Sequence, residues 1–105
     1  MPRQKDPERL HELILQAISK KRLVKLIYRD KMRIAEPHDY GVNNGKIRLF
    51  CYQVGGQSTE KLPGWRLIDV LGISDLEILK DTFAGSRRDE SSKHHTWERV
   101  FGRVD

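Results

Sequence analysis

Leu23-Val24-Lys25-Leu26-Ile27-Tyr28, Arg33-Ile34-Ala35-Glu36-Pro37, Pro63-Gly64-Trp65-Arg66 and Ile73-Ser74-Asp75-Leu76-Glu77-Ile78-Leu79 are the marks along Val24–Phe83 that decide the fold. Leu23 to Arg29 is rich in β-branched and aromatic residues and predicts a strand. Asp30-Lys31 predicts a tight turn. A second strand is expected from Met32 to about Val42, with Pro37 marking a bulge or an edge position. Asn43-Asn44-Gly45 is a hairpin signal, because Asn and Gly tolerate positive φ. Lys46 to Val54 is the third strand, and the Gly- and Pro-containing stretch 55–64 is a loop. Trp65 to Leu71 and Ile73 to Leu79 make the fourth and fifth strands, with Gly72 bending the chain between them.

Upstream, Asp6 is a good N-cap and Pro7 suits the first helical position. Leu10, Leu13, Ile14, Ala17 and Ile18 recur at helical spacing, so residues 6–20 predict a helix with one buried stripe. Lys20, Lys21 and Arg22 suit its negative C-terminal end. One helix and five short strands fit a small, strongly bent β barrel over residues 22–84. Downstream, Ser86 to Ser92 reads as a polar linker, and Trp97, Val100 and Phe101 predict a short C-terminal helical tail within 85–105. The 105 residues are expected to form a single domain.

The chain carries a formal net charge of +5, and its first 33 residues hold ten Lys/Arg against four Asp/Glu. That imbalance fits either a polyanionic partner or a solvated helix face. No apolar run is long enough to span a bilayer, and the N-terminus leads into no apolar signal core, so a cytoplasmic protein with no membrane partner is expected. The single cysteine, Cys51, makes no internal disulfide and predicts a buried thiol.

The order of these marks resembles the WYL domain, a small Sm-like (SH3-like) barrel of bacterial regulators. Arg33 and Glu36-Pro37 match the family pattern. At the triplet that names the family this chain has Ile47-Arg48-Leu49, so only the leucine is kept. In the fourth strand Arg66 is kept, while two further family arginines are replaced by Asp69 and Gly72. The resemblance implies a sensor module that binds nucleic-acid strands or nucleotide-like ligands on a basic patch. Such domains usually follow a winged helix-turn-helix domain. With no room for one before Leu23, the chain reads as a free-standing module, an accessory to a regulator or nuclease in transcription or defence regulation.

Arg33 and Arg66 lead the candidate ligand- or nucleic-acid-binding residues, because a guanidinium is a planar fork suited to phosphate. The alternative is an ion pair with Glu36 or Asp69. Arg48, Phe50 and Tyr52 share one face of the third strand, as a basic and aromatic platform for a single strand or as plain core. Trp65 reads either as a stacking ring or as a core anchor. If Phe50 and Tyr52 are core, the apolar run Ile47, Leu49 and Cys51 on the other face needs a cover, from the helix or from a second copy in a homodimer. His11, His38, His94 and His95 match no zinc spacing and read as surface histidines. Asp75, Glu77 and Asp81 read as guards of an edge strand. No acid–base pair, metal set or cofactor motif stands out, so no enzyme is expected. A module for protein–protein contact or oligomerisation, without its own ligand, is the alternative function.

Overall fold

The computed structural model describes residues 6–87 and 96–105. Helix α1 (Pro7–Lys20) is followed by strands β1 (Arg22–Tyr28), β2 (Lys31–Asn43), β3 (Lys46–Gly56) and β4 (Gly64–Asp69), a 3-10 turn (Val70–Gly72), β5 (Ile73–Thr82) and β6 (Arg99–Arg103). The architecture is mainly β, with one N-terminal helix and a six-stranded antiparallel sheet.

The helix begins where the sequence places it. Asp6 Oδ1 accepts a hydrogen bond from the Glu8 amide at 3.0 Å, and Pro7 opens the first turn. It ends at Lys21, whose left-handed backbone directs its amide to the Ala17 and Ile18 carbonyls. Leu10, Leu13, Ile14, Ala17 and Ile18 are buried, and they join Val24, Leu26, Tyr40, Leu49, Cys51, Ile68, Val70, Ile73 and Leu76 in one core.

Both hairpins close on two residues with positive φ. Asn44-Gly45 joins β2 to β3, and Arg29-Asp30 joins β1 to β2, one position earlier than the expected Asp30-Lys31 turn. Such pairs match the twist of the flanking strands. The ladder of β2 with β3 slips between Pro37 and Asp39, so Pro37 does mark a bulge. On its other edge β2 pairs first with β1, through Ala35, and then with β6, from Asp39 onward. Pro37, which has no N–H to donate, occupies the change of partner.

Two expectations are corrected. No backbone pairing joins β4 to β5 among the described residues, so the sheet, in the order β4-β3-β2-β1-β5, is open rather than a closed barrel. The C-terminal tail is strand β6, not a helix. The helical spacing of Trp97, Val100 and Phe101 is overridden by the free backbone edge of β2 from Asp39 to Val42, which β6 satisfies. Val100 is 43% exposed, so those three residues form no common buried stripe. Phe101 nonetheless docks the tail, lying 5.2 Å from the Tyr40 ring and 5.4 Å from His11. No helix among the described residues is long and apolar enough to cross a membrane.

Candidate anion-binding cleft

Strand alternation sends neighbouring residues to opposite faces, and this sorts the candidate residues into two regions. Cross-strand neighbours Pro37, Cys51 and Arg66 form one row over β2, β3 and β4; Glu36, Tyr52 and Trp65 form the adjacent row. The first row belongs to the face with Leu49, Gln53 and Ile68. The second belongs to the face with Phe50.

On the first face Arg33 and Arg66 converge. Both line a cleft of about 430 Å³, together with Tyr28, Arg29, Lys31, Ser58, Glu60, Trp65 and Ile68. The Arg33 Nη1 donates to Gln53 Oε1 at 3.2 Å. The Gln53 side chain is fully buried, and its Nε2 donates to the Gly55 and Gln57 carbonyls, both at 3.0 Å. One buried amide thus fixes the start of the loop after β3 and one donor of Arg33. The loop is held again at Gln57, whose amide donates to the Met32 carbonyl at 2.7 Å.

Arg66 is enclosed by that same loop. Its Nη2 donates to Ser58 Oγ at 3.0 Å and to the Lys61 carbonyl at 3.2 Å, while Nη1 donates to the Trp65 carbonyl at 2.9 Å. A side chain at Gly64 would lie 2.7 Å from Arg66 Nη1, so only glycine leaves room for this approach.

Every acceptor named for these two guanidinium groups is neutral. The ion pairs expected with Glu36 or Asp69 do not form: Glu36 is taken by Arg87 and His38, and Asp69 lies 3.8 Å from Lys46. Among the described residues the Nε atoms of Arg33 and Arg66 are buried with no hydrogen-bond partner. Each such orphan costs about 1–3 kcal/mol. The cleft holds four cationic side chains, Arg29, Lys31, Arg33 and Arg66, against one carboxylate, Glu60. Burial pushes the nearby Cys51 thiol up to about 12, and the Arg33 and Arg66 charges pull it the other way. Cys51 is therefore a neutral, buried thiol, as its strand position predicts.

The second face is a packed cluster. Phe50 and Trp65 stack with centroids 4.7 Å apart and planes 9° from parallel. Tyr52 meets Trp65 edge-on, and His38 meets both Trp65 and Phe83. Arg87 lies 4.4 Å above the Tyr52 ring and forks onto Glu36, with Nε–Oε1 at 2.7 Å and Nη2–Oε2 at 3.1 Å. Glu36 and His38 are only 4% and 3% exposed, so His38 is no surface histidine; burial lowers its pKa despite the Glu36 oxygen 3.4 Å away. His11 is also drawn in, hydrogen-bonded to the Tyr40 hydroxyl at 2.9 Å. His94 and His95 lie outside the described residues.

The candidate residues are thus divided. Arg33 and Arg66 share the cleft, and Trp65 lines it while its ring belongs to the aromatic stack. Tyr52 is capped by Arg87. Arg48 lies away from the cleft, with Nη1 donating to Asn43 Oδ1 at 3.0 Å. Phe50 is buried by its own chain, as the core alternative for that face holds, and Leu49 and Cys51 join the core with α1. The uncovered apolar face that motivated a homodimer is therefore covered within the chain. Sequence reasoning missed Gln53, Ser58, Tyr28 and the Arg29–Lys31 turn. Only the turn carried a signal, two cations beside the Arg33 strand. Among the described residues no three His, Cys, Asp or Glu side chains converge as metal ligands.

Comparison with protein-family models, with curated proteins and with solved structures returns no match for this chain.

Proposed function

We propose that this chain is a regulatory or sensor binding module that recognises single-stranded nucleic acid or a nucleotide-like ligand in the Arg33–Arg66 cleft. The observation that carries the reading is the meeting of Arg33 and Arg66, from different strands, with neutral acceptors only and with Arg29 and Lys31 beside them. Cations held without carboxylates retain their attraction for phosphate oxygens. The WYL resemblance supports the same reading, since Arg33, Glu36-Pro37 and Arg66 are the positions that match it. In this reading the module is cytoplasmic, performs no catalysis, and passes its state to a regulator or nuclease in transcription or defence regulation.

Titration of labelled oligonucleotides at two salt concentrations tests the reading. Binding is expected to weaken steeply with salt, as phosphate contacts release counterions. No binding at low salt would remove it. A ligand-free interaction module is the second reading. It is favoured by the family arginine positions occupied by Asp69 and Gly72, and by the exposed Leu71 and Val100. Light scattering that finds only a monomer, alone and with candidate partners, would count against it.

A further inference from the structure

Resting on the nucleic-acid reading, we propose that the cleft takes a terminal phosphate, the phosphomonoester at the end of a single strand or on a free nucleotide, and not the internal phosphodiesters of a passing strand. Three observations lead there. The first concerns the rings. A strand-tracking groove stacks successive bases on free aromatic faces. Here Phe50, Tyr52 and Trp65 pack on one another, and Arg87 covers Tyr52. Tyr28 at the cleft is already flanked by Arg29 at 5.3 Å and Arg33 at 5.6 Å. The aromatic platform is spent on folding, and what remains is an anchor for anions.

The second concerns size and depth. The cleft's volume of about 430 Å³ lies at the low end of small-molecule sites, which run from about 300 to 1,000 Å³. It reaches down to the buried Ile68, and the 57–63 loop walls it through Ser58 and Glu60. A phosphodiester must leave such a recess by two ester arms, a monoester by one. The third concerns charge. Four cationic side chains against one carboxylate suit a group carrying about −1.5 to −2 at neutral pH better than the single charge of a diester. Arg33 and Arg66, which line the cleft, each carry a planar guanidinium fork suited to bidentate oxygen recognition.

The test is fluorescence anisotropy on the full chain with a short oligodeoxythymidine, labelled at one end and carrying phosphate or hydroxyl at the other, in both polarities. One phosphate-ended polarity is expected to bind about tenfold or more tightly than its hydroxyl-ended twin, the weight of one charge-assisted hydrogen bond. The gap should shrink as pH falls from about 7.5 to 5, because the second phosphate proton returns near pH 6. Arg66→Lys keeps the charge and loses the fork, and Lys31→Ala removes a half-buried cation of the cleft; both should narrow the gap, with circular dichroism reporting that each variant folds. Thymidine monophosphate that competes as well as the phosphorylated strand identifies a free nucleotide as the source, and weak competition identifies a strand end. Equal binding of both ends, weakened together in Arg66→Lys, overturns terminal recognition and leaves the strand-binding reading standing. No binding of any oligonucleotide overturns that reading instead.

Discussion

Arg66 and Arg87 are both half-buried guanidinium groups beside Trp65 and its neighbours, yet their surroundings are opposite. Arg87 meets a buried carboxylate with two hydrogen bonds and caps an aromatic ring. Arg66 meets a serine hydroxyl and two carbonyls, and Arg33 beside it meets an amide. A cation neutralised by a carboxylate is held in place and silenced. A cation held by neutral dipoles is held in place with its field intact. In the proposed reading, that difference gives Arg87 to the architecture and Arg66 to recognition.

That contrast is open to direct attack. The largest effect is expected from Glu36→Ala, which removes the buried carboxylate that Arg87 and His38 share beside a packed ring cluster. Breaking a buried pair costs about 3–5 kcal/mol; with Arg87 a third exposed, about 2–3 kcal/mol is expected in urea unfolding, with oligonucleotide binding retained. Arg66→Ala should do the reverse. Its loss is expected to cost at most about 1 kcal/mol of stability, and to weaken oligonucleotide binding about tenfold while lowering the salt slope by about one. If the two variants behave alike, the distinction between the two arginines collapses.

His38 gives the contrast a pH signature. Its pKa is lowered in the folded protein by burial, so below the ordinary 6.5 the unfolded chain binds the proton that the folded chain refuses. Stability is therefore full above pH 6.5 and declines as pH falls toward the lowered folded value. Urea midpoints at a series of pH values should show that decline, and His38→Gln should flatten it. Cys51 offers a smaller, chemical readout. A buried thiol pushed up to about 12 should resist a disulfide reagent at pH 8 until the protein unfolds. Rapid labelling of folded protein would mean that Arg33 and Arg66 flank an open thiol. The smallest effect is expected from Arg48→Ala, whose single named bond is to Asn43, at about 0.5 kcal/mol or less in unfolding and none in binding.

Much of this was legible in the chain. The helix was fixed by its cap, its proline and its stripe, all local features. The hairpin at Asn44-Gly45 and the bulge at Pro37 follow from what Gly, Asn and Pro permit in the backbone. Alternation placed Arg48, Phe50 and Tyr52 on one face of β3. It said nothing of what would cover that face, because Trp65, Phe83 and Arg87 arrive from remote segments. The tail was misread for a related reason: spacing of three apolar residues predicted a helix, but the edge of β2 supplied hydrogen-bond partners that no local pattern records. The site was half legible. Arginine chemistry nominated Arg33 and Arg66, while the buried amide of Gln53 and the loop hydroxyl of Ser58 had no sequence signature.

By itself, the order of amino acids determined where backbone could turn, where it must stay extended, and which side chains could carry charge to a partner. Tertiary structure decided which of those charges met a carboxylate and which did not. The reason is physical: backbone preference is settled within a few residues, whereas the neutralisation of a charge depends on whatever the fold brings within a few ångströms of it.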